Sequence, residues 1–121
     1  MRYLVKARIK IGKQEALMKA INNETLGRGS VAEGEYIRNM HNARQLKDGS
    51  LCWVEICYCP EPLQEERSFW EGYFELLNIK SAHSRDKCND LIGTEPYGCD
   101  HCDCTEQLEA RMNKWGRKFL E

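Results

Sequence analysis

The chain has 121 residues, of which 18 are basic and 19 acidic, and its formal net charge is −1. Because the two signs are interleaved, no basic face for a nucleic acid is predicted, and no apolar run approaches the roughly 20 residues of a membrane-spanning helix. The hydrophobic fraction of 41% and the charged fraction of 31% are typical of a single globular domain.

Seven cysteines stand in this ordinary background, and an odd number cannot be fully paired in disulfides within one chain. The first six residues mix charged and apolar side chains and lack the apolar stretch of a signal peptide. We therefore expect a cytoplasmic protein with reduced thiols. Closely spaced thiols in such a protein usually bind a metal ion.

The first third of the chain predicts a strand, a helix and a loop. Residues 2–11 alternate apolar and charged side chains, which is typical of a strand with one buried face. Gly12 ends this strand, and residues 13–24 are helix formers with apolar residues at helical spacing. The glycines of residues 25–35 match no phosphate-binding motif, so a plain loop is expected there.

The middle of the chain predicts a hairpin, although residues 36–46 also fit a helix. Asp48 and Gly49 are typical of a hairpin turn, and they precede residues 51–59, which are strongly β-forming. We therefore assign residues 36–46 to the antiparallel partner strand of residues 51–59.

Two further elements complete this body. Pro60 and Pro62 end the strand and open a helix over 62–77, in which aromatic residues recur at helical spacing and predict a core-facing stripe. Residues 78–86 then predict a last, edge-like strand. The resulting order over residues 1–87 is β-α-β-β-α-β, so we predict an α+β fold with a ferredoxin-like sheet.

The segment Tyr3–Lys13 (YLVKARIKIGK), a strand that ends at a glycine and enters a helix, carries a resemblance to a known family. Together with the strand around Trp53 and the aromatic second helix, it resembles the dimeric α/β-barrel proteins, which include the antibiotic-biosynthesis monooxygenases and the stress-responsive barrel proteins. The resemblance implies two sheets paired into a barrel that binds a small molecule inside. No catalytic residue of that family has a counterpart here, and the cysteine-rich extension departs from its pattern.

The sheet face opposite the helices is expected to be covered. We place Leu4 and Trp53 on that face, and a large exposed aromatic face is unusual in a monomer. A homodimer is therefore predicted, with the C-terminal helix as the competing cover of the same face.

Residues 88–121 are predicted to form a cysteine-rich knuckle and an extra helix over 105–120. Cys99 and Cys102 have the two-residue spacing of zinc knuckles, and two more cysteines flank this pair. We predict one zinc ion in a closed tetrahedron, with a structural role, held by four thiolates: Cys88, Cys99, Cys102 and Cys104. An iron–sulfur cluster is less favoured because its cysteine spacing is not met, a copper(I) site on Cys102 and Cys104 stays open, and His101 is interpreted as solvated.

Two residues of the central strand are weaker candidates for chemistry. Glu55 and Cys57 share one strand face, with side chains about 6–7 Å apart. If the open sheet face forms a pocket, Cys57 is the candidate nucleophile and Glu55 the candidate proton carrier. Cys57 and Cys59 are left out of the zinc site because the third strand is expected to end far from Cys88.

Three functions are compatible with these patterns. The leading hypothesis is a small cytoplasmic zinc-binding protein in which the metal is structural and fastens the C-terminal helix. The second is an enzyme that acts on a small molecule in a pocket on the open sheet face. The third is a thiol-redox or metal-transfer protein that uses the cysteines of residues 99–104 directly.

Overall fold

The computed structural model describes residues 2–57, 59–83 and 104–120, apart from the side chains of His83 and Cys104. Within these residues the fold is mixed α+β, with a five-stranded antiparallel sheet and four helices. The elements in chain order are β1 (Arg2–Ile9), α1 (Gln14–Asn22), α2 (Glu35–Asn42), β2 (Arg44–Gln45), β3 (Leu51–Ile56), α3 (Arg67–Trp70), β4 (Phe74–His83), α4 (Cys104–Met112) and β5 (Arg117–Lys118). The first strand, the first helix and the strand after the Asp-Gly turn are confirmed, each somewhat shorter than predicted.

The strand order is β4-β1-β3-β2-β5, so β1 lies between β4 and β3. Both neighbours run antiparallel to β1, and Arg2 pairs with Ile56 on one side and with His83 on the other. The strands β3 and β4 therefore end at the same end of the sheet. Cys57 and Cys59 were left out of the zinc site because the third strand was expected to end far from Cys88. That expectation assumed that the third strand ends near the start of the fourth, and this premise is wrong.

The register of β1 and β3 corrects the face assigned to Trp53. Val5 pairs with Trp53 and Tyr3 pairs with Glu55, so these residues share one face of the sheet. That face is the one covered by α1, α2 and α3, and Trp53 is fully buried in the main core. The placement of Trp53, Glu55 and Cys57 on an open face is thus wrong, because the alternation within a strand does not fix its register against a neighbour.

An aromatic cluster forms the centre of this core. The rings of Trp53 and Trp70 have centroids 4.6 Å apart, Tyr36 lies 4.9 Å from Trp70, and Phe74 lies 5.3 Å from Trp53. Apolar residues of β1, α1 and α2 surround these rings. The cluster packs α2 and α3 against β3 and the start of β4.

The opposite face of the sheet is covered by α4. Met112 is buried there against Cys52 and Val54, with Leu4 and Leu108 packed beside them. The start of α4 is fastened to β1, because Arg2 Nε donates a hydrogen bond to Thr105 Oγ1 at 2.8 Å. The C-terminal helix was the alternative to a second subunit as the cover of this face. It covers this face within the chain.

The strand predicted over residues 36–46 is wrong for most of its length. Glu35–Asn42 form α2, and only Arg44–Gln45 pair with β3. Tyr36 and Met40 lie about one helical turn apart and both are buried. The apolar pattern that fitted two structures therefore belongs to a helix.

The helix predicted over residues 62–77 is wrong in extent. Only Arg67–Trp70 are helical, and the chain enters β4 at Phe74. Trp70 and Phe74 still pack together, with ring centroids 5.7 Å apart, because the turn between them returns the chain to the same core. The C-terminal helix likewise ends early, at Met112, and a turn leads from it to β5.

Gly27 is required where the loop before α2 passes the ring of Tyr36. Its φ of 76° is left-handed, and a Cβ at this position would collide with that ring. Gly29 is also left-handed, with φ of 92°, but has open space around it. Gly27→Ala should therefore lower the free energy of unfolding by about 2 kcal/mol more than Gly29→Ala. Urea unfolding measures the difference, and equal losses would mean that the ring moves aside without cost.

Candidate metal centre

The candidate centre lies where the chain leaves β3. Cys57 follows the strand directly and is fully buried, whereas Cys59 is half-buried. Pro60 and Pro62 cannot donate backbone hydrogen bonds, so the strand does not continue. The turn that follows brings Glu66, which is 5% exposed, back onto the two cysteines.

Three donor atoms converge at this turn. The thiols of Cys57 and Cys59 donate to the same oxygen of Glu66, Oε2, at 3.4 Å and 3.9 Å, and all three donor atoms lie within 4.8 Å of one another. A tetrahedral zinc ion, with bonds of about 2.3 Å to sulfur and about 2.1 Å to oxygen, would hold these atoms about 3.6 Å apart. The group therefore has the spacing that a single metal ion needs.

The backbone around Cys57 is arranged to support negative charge on its sulfur. The N–H of Cys59 donates to Cys57 Sγ at 3.3 Å, and backbone hydrogen bonds from Cys59 and Leu63 act to lower the pKa of the Cys57 thiol. Leu63 has a φ of 54°, which is left-handed and costs about 1–3 kcal/mol for a residue other than glycine. Its fully buried side chain holds it in this conformation. One strained residue thus lies beside the candidate ligands.

Burial works against the free thiolate. The pKa of Cys57 is raised to about 12. Burial is the largest cause, and the charge of Glu66 raises the pKa further. Tyr3 lies close by, and its pKa is raised first by burial and then by the charges of Cys57, Cys59 and Glu66. Thiols must be deprotonated to bind a metal, and a divalent cation at this position would compensate the negative charge that two thiolates and Glu66 would then carry.

Glu55, the candidate proton carrier, lies in the aromatic core. Trp53 Nε1 donates to its Oε1 at 2.8 Å, and Trp70 Nε1 donates to both of its oxygens, at 2.9 Å and 3.1 Å. Burial raises the pKa of Glu55 to about 7, although the two indole hydrogen bonds oppose the rise. The carboxylate that contacts Cys57 is that of Glu66, a residue that the sequence interpretation did not single out.

A cavity of about 560 Å³ adjoins the centre. Its lining is largely apolar and includes both Cys59 and Glu66, together with Val31, Ala32, Glu35, Ile56 and Glu65. Glu65 fixes the wall formed by the glycine-rich loop, because Ser30 Oγ donates to its Oε2 at 2.8 Å and the N–H of Val31 donates to its Oε1 at 3.0 Å. The loop expected to be plain is therefore tied down beside the candidate metal ligands.

The zinc site predicted in the C-terminal extension lies almost entirely outside the described residues. Cys88, Cys99, His101 and Cys102 are among the residues left undescribed, and Cys104 is described only as the first residue of α4. This site stays a prediction. Cys52, which was not assigned to it, is buried under α4 on the other sheet face from Cys57.

The chain matches no family model, no curated protein and no solved structure. None of the helices in the described part of the chain is long and apolar enough to cross a membrane.

Proposed function

We propose that this protein binds a divalent metal ion, with zinc favoured, through Cys57, Cys59 and Glu66. The observation that carries the proposal is the convergence of the three donor atoms within 4.8 Å at the end of β3. Zinc accepts both thiolate and carboxylate ligands, whereas magnesium and calcium prefer oxygen alone. The ion would join the end of β3 to the turn before α3.

The second zinc proposal is the site at Cys88, Cys99, Cys102 and Cys104. It is supported by the cysteine spacing alone, and it is independent of the centre at Cys57. A protein with both sites would bind two ions per chain.

A thiol-redox role is the alternative for Cys57 and Cys59. Their sulfur atoms lie within 4.8 Å of each other. Reactive cysteines have lowered pKa values, whereas burial and Glu66 raise the pKa of Cys57. Metal binding is the better supported of the two functions, because the carboxylate of Glu66 converges with the two thiols as a third donor.

The ferredoxin-like fold is also a proposal. It is supported by the strand order β4-β1-β3-β2 and by the antiparallel pairing of each neighbouring pair. The helix α2 and the edge strand β5 are additions to the expected β-α-β-β-α-β plan. The predicted homodimer was argued in part from an exposed Trp53. Trp53 is buried within the chain, so it no longer supports a homodimer.

Elemental analysis of purified protein, kept under reducing conditions, tests the metal proposal. The two candidate sites are separated by a variant in which the four cysteines at 88, 99, 102 and 104 are replaced by serine. This variant should retain one equivalent of zinc, and its cobalt(II) form should show the absorption of a tetrahedral ion with thiolate ligands. A variant that folds and takes up neither ion would refute the centre at Cys57.

A further inference from the structure

The cavity beside the candidate centre gives two of the three donor residues access to the outside. Cys59 and Glu66 line it, whereas Cys57 is fully buried behind them. A volume of about 560 Å³ lies within the range of about 300–1,000 Å³ that small-molecule sites occupy. A metal ion held by these donors would therefore border a space large enough for a small organic molecule.

Three protein donors leave one position of a tetrahedral ion unfilled. Metal sites that act on an external molecule keep such a position open, whereas structural sites use four protein ligands. Among the described residues, the group at the end of β3 contains three possible ligands. The arrangement is that of an open site, which differs from the closed tetrahedron predicted for the C-terminal cysteines.

The charges around the cavity disfavour an anionic ligand. Three carboxylates line it, from Glu35, Glu65 and Glu66, and the lining includes no lysine, arginine or histidine of the described chain. Two thiolates and one carboxylate would give a divalent ion a net charge of −1, so a further anion would be repelled. A neutral nitrogen atom is the donor that zinc accepts without adding charge.

The apolar lining favours a ligand that is apolar outside its donor atom. Val31, Ala32 and Ile56 contribute hydrocarbon surface, and Val31 is 93% exposed. Burying apolar ligand surface against these side chains would favour binding. An aliphatic or aromatic body of modest size fits this lining better than a sugar or a phosphate.

We infer that the metal at this centre keeps an open coordination position toward the cavity, and that this position takes a neutral nitrogen donor carried on a small apolar body. The inference rests on the proposed metal centre and adds the class of ligand. Small imidazoles and amines with an aromatic or aliphatic substituent belong to this class.

The test uses the full-length protein loaded with cobalt(II), titrated with 4-phenylimidazole and, separately, with benzoate. The first probe has a neutral nitrogen donor and the second is an anion of similar apolar character. We expect the dissociation constant of 4-phenylimidazole, measured from the change in visible absorption of the bound cobalt, to be at least 10-fold lower than that of benzoate. Equal binding of the two probes would overturn the choice of ligand class.

A cavity-filling variant tests the location. Ala32→Phe should weaken 4-phenylimidazole binding at least 10-fold and leave the affinity for cobalt within about threefold, because Ala32 lines the cavity and is not a metal ligand. Ala16→Phe is the matched control, since Ala16 is exposed on α1 and does not line the cavity. Equal weakening in both variants would overturn the assignment to this cavity.

Failure of the inference differs from failure of the proposed function. If cobalt binds at Cys57, Cys59 and Glu66 but its spectrum does not respond to 4-phenylimidazole, the centre stands and the open position is refuted. A response that appears only when the cysteines at 88, 99, 102 and 104 are replaced would refute it as well, because one of them would then be the fourth ligand. Absence of cobalt from the centre would instead refute the proposed function.

Discussion

Cys57→Ser should lower the affinity of the proposed centre for zinc by at least about 100-fold. This is the upper end of what loss of a group that only hydrogen-bonds a metal ligand costs. The reason is that a serine hydroxyl stays protonated near neutral pH and is a poor ligand for zinc, whereas the thiolate is a strong one. Competition against a chromophoric chelator, with the four C-terminal cysteines replaced by serine, measures this affinity alone.

Cys52→Ser is the matched control for this experiment. Cys52 is 3% exposed, nearly as buried as Cys57, but it packs against Val54 and Met112 on the other face of the sheet. The same substitution there should cost packing energy and leave zinc affinity unchanged. Equal loss of zinc in the two variants would trace the effect to unfolding rather than to ligation, and full retention in Cys57→Ser would remove Cys57 from the site.

Glu55 should make the metal-free protein less stable as the pH rises from about 4.5 to about 7. The pKa of its carboxyl is about 7 in the folded protein, chiefly because of burial, against an ordinary value of 4.5. Between these values the folded state binds a proton that the unfolded state has released, so stability is present at the lower pH and is lost as the pH rises through 7. The expected loss in the free energy of unfolding is about 3 kcal/mol.

Urea unfolding at pH 5 and pH 8, in the presence of a chelator, measures this loss. The chelator matters because metal binding grows stronger with pH and would mask the trend. Glu55→Gln should reduce the pH dependence by about 3 kcal/mol, while Glu75→Gln, an exposed position on β4, should leave it as it is. An undiminished pH dependence in Glu55→Gln would show that other carboxyl groups cause it.

The sequence correctly predicted those elements whose residue pattern fits only one type of secondary structure. The alternation of β1 and the apolar face of α1 were of this kind, and both elements are present. The pattern around Tyr36 and Met40 had two solutions, and the Asp-Gly turn favoured the wrong one. The stripe of Trp70 and Phe74 correctly indicated burial but not helix, because residues on two sides of a turn can enter the same core.

The candidate metal centre was missed for a reason of topology. Cys57 and Cys59 were visible in the sequence, but they were discounted because β3 was expected to end far from the end of the body. Glu66 gave no signal, since its role depends on the turn after Pro62 and on the left-handed Leu63. Contacts made by such turns follow from the three-dimensional path of the chain and not from any periodicity.

The pairing of β1 bears on how the protein forms during synthesis. β1 cannot complete its pairing with both neighbours until His83 has left the ribosome, since Arg2 pairs with His83 as well as with Ile56. The proposed ligands, in contrast, come from the ten consecutive residues 57–66, and closing so short a loop costs little chain entropy. The proposed ion would therefore be able to bind the nascent chain before the sheet is complete.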